Sequence, residues 1–267
     1  MISRLHRAFY LYWRHLSQQL KAILEYQTDF FILVISAVLT QLLGIVFLKV
    51  VYTKIPDING WQFWEVAFMY AMIYLTEGIG SLFFEGTWRI GSLVNRGGLD
   101  VFLLRPLSPI LQVLCNGIGM NGLGNIAMGS IIVVQAIIYM PMHWTWDKIA
   151  ITILLLLSAV VIRVAINLAS NSVSFWTRAS RNAFPLMVHN LSDFAKYPIT
   201  IFPVAIRSLV TFVVPFAFVS FFPASYIFGK NGTDWLWALS PIVAVACAAI
   251  AYRIFALGLR TYESVGN

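Results

Sequence analysis

Charge is scarce in this chain: Asp, Glu, Lys and Arg make up 11% of 267 residues, and only 11 residues are acidic. That is less than half the usual share of a soluble domain. With 60% apolar residues and a mean hydropathy of +0.80, it excludes both an ordinary water-soluble fold and a disordered chain. Cysteine is almost absent as well. Cys115 and Cys247 sit in apolar surroundings without metal-ligand spacing, so both read as packing residues with no redox role. The four histidines, His6, His15, His143 and His189, are scattered and make neither a zinc set nor a catalytic cluster. No phosphate loop exists, because Phe228-Gly229-Lys230-Asn231 lacks both the hydroxyl residue and the earlier glycine. The chain therefore has no visible means of hydrolysing ATP itself. No nucleophile and base can be matched in depth for an intramembrane protease, and a cleavable signal is missing from the first 29 residues.

What remains is apolar length. Six stretches, 30–52, 61–84, about 120–140, 149–176, about 204–222 and 237–257, each approach the roughly 20 residues that cross a bilayer as a helix. The runs are continuous rather than alternating, which selects helices over barrel strands. The expected fold class is all-α, a polytopic membrane protein with six transmembrane helices in a single domain over 1–267. That length leaves room for one bundle and short loops, with none for an attached soluble catalytic domain. The formal net charge of +7 lies at membrane boundaries, so topology and anionic lipid account for it and nucleic acid is not an expected partner.

The segment 1–29 carries Arg4, Arg7, Arg14, Gln18 and Lys21 along one helical stripe, with Leu5, Tyr12, Leu16, Leu20 and Ile23 on other faces. This predicts an amphipathic helix lying in the headgroup plane, the alternative being a simple basic extension of the first span. An even number of spans puts both termini on one side. That side collects Arg89, Arg96, Arg105, Arg178, Arg181, Lys196 and Arg260, whereas the other holds Lys49, Lys54, Lys148 and Lys230. The bias predicts cytoplasmic termini. The outer connections, 53–60, 141–147 and 223–234, are short and turn-rich, and the sequon Asn231-Gly232-Thr233 carries little weight. The inner ones, 85–107 and 177–202, are the segments long enough to meet a soluble partner.

Gly117-Ile118-Gly119-Met120-Asn121-Gly122 fits the spacing of a dinucleotide fingerprint, but no βαβ unit surrounds it. Close helix packing or a flexible start to the third span is expected instead. Ala244, Ala248 and Ala251 suit a helix contact, and Trp61, Trp64, Trp144, Trp146, Trp235 and Trp237 suit a boundary belt. The buried charges are more informative. Glu77 lies in the second span and Arg163 in the fourth, where a charge at bilayer centre costs about 2.5–3.5 kcal/mol. At 1.5 Å per residue they lie about 24 and 22 Å below the starts of their spans, so they can meet at one depth. Tyr70, Tyr74, Glu77 and Ser81 share one face, as do Arg163, Asn167, Ser170 and Ser174. Both stripes are expected to face the bundle interior, either as packing glue or as part of a substrate pathway.

Gly97-Gly98-Leu99-Asp100-Val101-Phe102-Leu103-Leu104-Arg105-Pro106-Leu107-Ser108-Pro109 resembles the signature loop of type-2 permeases of ATP-binding-cassette exporters, in their compact six-helix subgroup. Pro215 to Tyr226 is similar to that subgroup's fifth-span end, and Gly258 to Gly266 to its C-terminal ending. The resemblance implies a half-transporter of the prokaryotic plasma membrane. It would pair with a second permease, related or identical, and dock on a dimer of cytoplasmic ATPases that hold ATP and magnesium. It further implies that the N-terminal helix and the loop 85–107 form the coupling surface, which points to Arg89, Arg96 and Asp100. Trp88, Ile90, Val94 and Leu99 supply apolar anchors among those charges. Aromatic and apolar lining suits a hydrophobic or amphipathic cargo. Two other classes stay open at this point: an ATP-independent carrier using Glu77 and Arg163, and a membrane receptor or scaffold that moves nothing.

Overall fold

The computed structural model describes residues 14, 17, 18, 27–140, 144–177, 183–230 and 235–264. Most of the predicted interfacial helix, together with Arg178, Arg181 and the sequon at Asn231, lies outside them. Among the described residues every regular element is helical, and a lone bridge between Ile58 and Trp61 is the one β contact.

Five helices are long and apolar enough to span a bilayer, and their ends follow local chemistry. α1 (Gln27–Lys54) carries Asp29 in its first turn and Lys54 in its last, each opposing the backbone dipole. α2 (Phe63–Phe84) starts where the Gln62 amide donates to Glu65 Oε2 at 2.8 Å. Its 22 residues cover about 33 Å, close to the thickness of the hydrocarbon core. The connection that follows holds a 3₁₀ turn (Glu85–Arg89), α3 (Ile90–Asn95), α4 (Leu99–Leu103) and α5 (Pro109–Leu114). α6 (Asn121–Tyr139) and α7 (Trp146–Ser172) are the third and fourth spans, and α8 (Ser174–Thr177) continues the latter. α12 (Ser240–Arg260) is the last, with proline in its first turn where no amide is needed.

α2 stands at the centre, packed along α6 and against α7, while α7 pairs with α12 and α1 lies outermost on α6. Glycine lets α2 and α6 approach: a Cβ on Gly78 would sit 2.8 Å from the Gly122 carbonyl oxygen, and one on Gly129 2.8 Å from Leu75. The glycine cluster before the third span is thus a packing device. Gly119 N donates to Ser81 O at 2.9 Å, and Gly117 uses a φ of 130° that favours glycine. On α12 the small-residue stripe divides. Ala244 and Ala251 are buried, whereas Ala248 faces outward.

The expected fifth helix is not continuous. It forms Val204–Val213 and Phe216–Ile227, which meet at 74°. The first arm is α10 (Val204–Ser208) followed by a π turn at Leu209–Val213, and the second ends in α11 (Phe221–Ile227). Pro215 causes the break, because it has no amide to donate and pushes Val214 out of the helical region. Pro203 precedes the first arm, and Pro223 sits in the first turn of α11, fully packed. The outer connection expected at 223–234 is shorter for that reason.

The inner segment 177–202 also departs from expectation. α9 (Ala183–Asn190) and the 3₁₀ turns Leu191–Lys196 and Ile199–Ile201 fold back into the bundle instead of projecting from it. Val188, Ser192, Ala195 and Ile199 are buried against α2 and the broken helix. Ser220 donates to the Ala195 carbonyl, a close approach that only small side chains permit. Among the described residues of this segment, Val188, Ser192, Ala195 and Ile199 are therefore closed to a soluble partner, whereas Phe184, Leu186 and Met187 are exposed.

Phe30 packs on Ile118 and Met120, and Phe175 on Phe255 and Tyr262. The start of α1 and the end of α12 thus share the end that carries Arg89 and Arg96. At the opposite end Lys230 Nζ meets Glu65 Oε2 at 2.7 Å and the Gly60 carbonyl at 2.6 Å. Trp61, expected in a boundary belt, is buried beneath this bridge and against Phe221, whereas Trp146 and Trp235 are exposed.

Candidate functional site

The polar stripe of α2 points at α7 and at the infolded segment. Glu77 and Arg163 form an ion pair, with the Arg163 side chain 1% exposed and Glu77 16%. His189 Nδ1 lies 3.3 Å from Arg163 Nη2 and 3.7 Å from Glu77 Oε2, and the guanidinium carbon sits 5.2 Å from the Phe216 ring centre. Arg163 Nε and Nη1 have no protein acceptor among the described residues. One turn along α2, Lys196 Nζ donates to Tyr74 Oη at 2.9 Å and pairs with Asp193 Oδ1 at 2.7 Å. The ammonium also lies over the rings of Tyr74 and Tyr70, at 4.6 and 5.7 Å. Tyr70 donates onward to the Gln41 carbonyl at 3.3 Å, and Gln41 Nε2 donates to Asn125 Oδ1 at 2.8 Å, tying α1 to α6.

The two predicted stripes thus meet, through Glu77 and Arg163. Asn167 is buried on the same face of α7, and its carbonyl accepts from Asn171 at 2.9 Å and from Ser170 at 3.2 Å. That role is local to α7. Sequence reasoning missed His189, Asp193, Lys196, Gln41 and Asn125. Gln41 and Asn125 were legible as lone amides inside apolar runs. Asp193 and Lys196 looked like an ordinary surface pair three residues apart, and nothing in their spacing signals that the segment folds inward.

The second candidate region is the connection at the basic end. Ile90, Val94 and Leu99 are buried together with Ala165, Leu168, Phe175, Ala251 and Phe255, so the anchors bind the connection to α7, α8 and α12. Trp88 lies edge-on to His189, 5.3 Å between ring centres, which joins the two regions. Arg89 and Arg96 are exposed on the outer surface of the connection. Asp100 is not directed outward in the same way. Its Oδ1 accepts from Tyr262 Oη at 2.9 Å and its Oδ2 from Ser264 Oγ at 2.6 Å. Burial and then this hydrogen bond push the Tyr262 phenol up to about 12, so it stays a donor throughout the physiological range. Asp100 is a clasp between the connection and the segment after α12.

Cys115 and Cys247 are free thiols, and burial pushes Cys115 up to about 11, as suits packing residues. No group of three metal-ligating side chains occurs among the described residues. Five apolar spans and one bent pair surround this polar stripe. The sequence model of the ABC-2 family transporter proteins matches residues 38–266. The chain belongs to this family. It is an ABC-2 permease, the membrane component of an ABC transporter, and the family's chains lack the ATPase domain. No curated protein and no solved structure matches the chain. The match covers all spans except the start of α1, and with them the polar stripe and the connection at the basic end.

Proposed function

We propose that this ABC-2 permease is the transmembrane half of an ATP-driven exporter in a prokaryotic plasma membrane. It encloses the translocation path with a second permease subunit and carries a hydrophobic or amphipathic cargo. The basic end faces the cytoplasm, as the distribution of Lys and Arg favours. There a dimer of separate ATPase subunits, holding ATP and magnesium, docks on the connection between α2 and α6. One observation carries this reading: Ile90, Val94 and Leu99 lock that connection onto α7, α8 and α12, while Arg89 and Arg96 are exposed. Force applied to the exposed charges reaches three helices through packed side chains. Asp100 acts as a positioning residue, holding the segment after α12 against the same connection.

The cycle needs two bundle states that bind the closed ATPase dimer with different affinity. ATP binding favours the outward-facing state and hydrolysis restores the other. The break at Pro215 is compatible with such movement, because no continuous helical ladder crosses it.

Co-purification with the ATPase is the direct test. Arg89→Glu with Arg96→Glu is expected to weaken ATPase association about tenfold or more, because it reverses two charges at a docking surface. Asp100→Asn should leave association intact and lower cargo-stimulated ATP turnover. Unchanged association in the first variant overturns the docking surface. Cargo transport by the purified permease without any ATPase overturns the exporter reading and favours an ATP-independent carrier.

A further inference from the structure

Asp193 occupies an unusual place for a carboxylate. Its partner Lys196 bonds Tyr74, which lies 11 residues from the start of α2 and 10 from its end. At 1.5 Å per residue Tyr74 is about 16 Å from one end and 15 Å from the other. A side chain on a helix leans toward the helix N-terminus, so the Tyr74 hydroxyl does not reach back toward the basic end. Asp193, 2.7 Å from Lys196, is therefore near the middle of the membrane, yet its side chain is 63% exposed. A carboxylate turned toward lipid at this depth is strongly disfavoured. The apolar faces of α1, with Leu43 71% exposed, show what this chain presents to lipid instead.

A second observation points the same way. Arg163 is buried one turn away, with two guanidinium nitrogens that no described protein atom accepts from. Buried donors of this kind are commonly satisfied by water. His189 and Glu77 form a partly exposed route between that guanidinium and the Asp193 face, and Asn190 is exposed beside them.

We propose that the face bearing Asn190, Asp193, Lys196, His189 and Glu77 is the wall of a water-filled path at the bilayer centre. This rests on the reading that the chain encloses a conduit with a second permease, and it assigns the side of the bundle that does so. The wall is balanced in sign, since Asp193 pairs with Lys196 and Glu77 with Arg163. It therefore hydrates the polar head of an amphipathic cargo without holding an ion of either sign.

Cysteine accessibility tests the assignment. Cys115→Ser and Cys247→Ala remove the native thiols, and Asp193→Cys is introduced into the permease in its own membranes. A membrane-impermeant cationic methanethiosulfonate reacts with thiolate, which forms in water and not in lipid. Asp193→Cys is therefore expected to react about tenfold faster than Leu43→Cys. Asn190→Cys, which leaves the Asp193–Lys196 pair intact, should behave as Asp193→Cys does and serves if that variant fails to accumulate. Reaction no faster than Leu43→Cys at both positions overturns the proposal and marks the face as covered by dry protein. A non-hydrolysable ATP analogue should change the rate severalfold; a fast rate indifferent to nucleotide in a complex that retains its ATPase also overturns the path. Failure of the exporter reading appears separately, as an absent ATPase, whatever the labelling shows.

Discussion

α1 and α2 are similar as strings of apolar residues and opposite as parts of the molecule. α1 exposes Phe31, Leu39, Leu43, Val46, Phe47 and Val50 and touches its neighbours along a narrow strip. α2 is buried on nearly every face, with Tyr70, Tyr74, Glu77 and Ser81 all engaged by other segments. Their polar residues make the difference. Ser36 and Thr40 of α1 bond back to their own helix, at 2.9 and 2.8 Å, and the Gln41 side chain makes a single bond across to α6. Those of α2 reach across to α7, α6 and the infolded segment. Hydropathy selects which residues enter the membrane, and the polar residues with external partners select which helix becomes central.

The contrast can be tested by substitutions ordered by expected effect, each read as unfolding free energy of the purified permease in mixed micelles. Arg163→Met strands Glu77 beside a former charge partner and is expected to cost about 3–5 kcal/mol. Adding Glu77→Gln should recover more than half of that loss, and a double variant as unstable as the single one would refute a paired cluster. Gly78→Ala forces a methyl against the Gly122 carbonyl and should cost about 1–3 kcal/mol by overpacking the crossing of α2 and α6. Gln41→Ala removes the one side-chain hydrogen bond described from α1 to α6, and should cost about 1 kcal/mol. Leu43→Ala, on the lipid face of α1, should change stability by less than about 0.5 kcal/mol. If Leu43→Ala rivalled Gly78→Ala, α1 would be packed against protein and the contrast would fail.

Much of the fold was legible before the structure. Five of the six apolar stretches are single spanning helices, with ends within a few residues of those expected, because continuous hydrophobicity and capping chemistry are local properties. The meeting of Glu77 and Arg163 was legible too, since two buried charges at equal depth have few other partners. The fifth stretch, 204–222, is a bent pair rather than one straight helix. Pro215 was visible, but whether a proline kinks a membrane helix or divides it depends on what satisfies the freed carbonyls nearby. The polar Asp193–Lys196 pair was placed in a loop, because its place in the bundle follows from the cavity left by α2, α7 and the broken helix.

The amino-acid string alone decided that this chain lives in a membrane, that its regular structure is helical, and that it has no phosphate loop of its own. Those follow from composition and spacing, which act residue by residue. Tertiary structure decided which helix is central, that Asp100 clasps Tyr262 and Ser264, and that the Asp193–Lys196 pair reaches Tyr74 of α2. These depend on contacts between residues far apart in the chain, up to 164 positions for Asp100 and Ser264, and no local pattern encodes them.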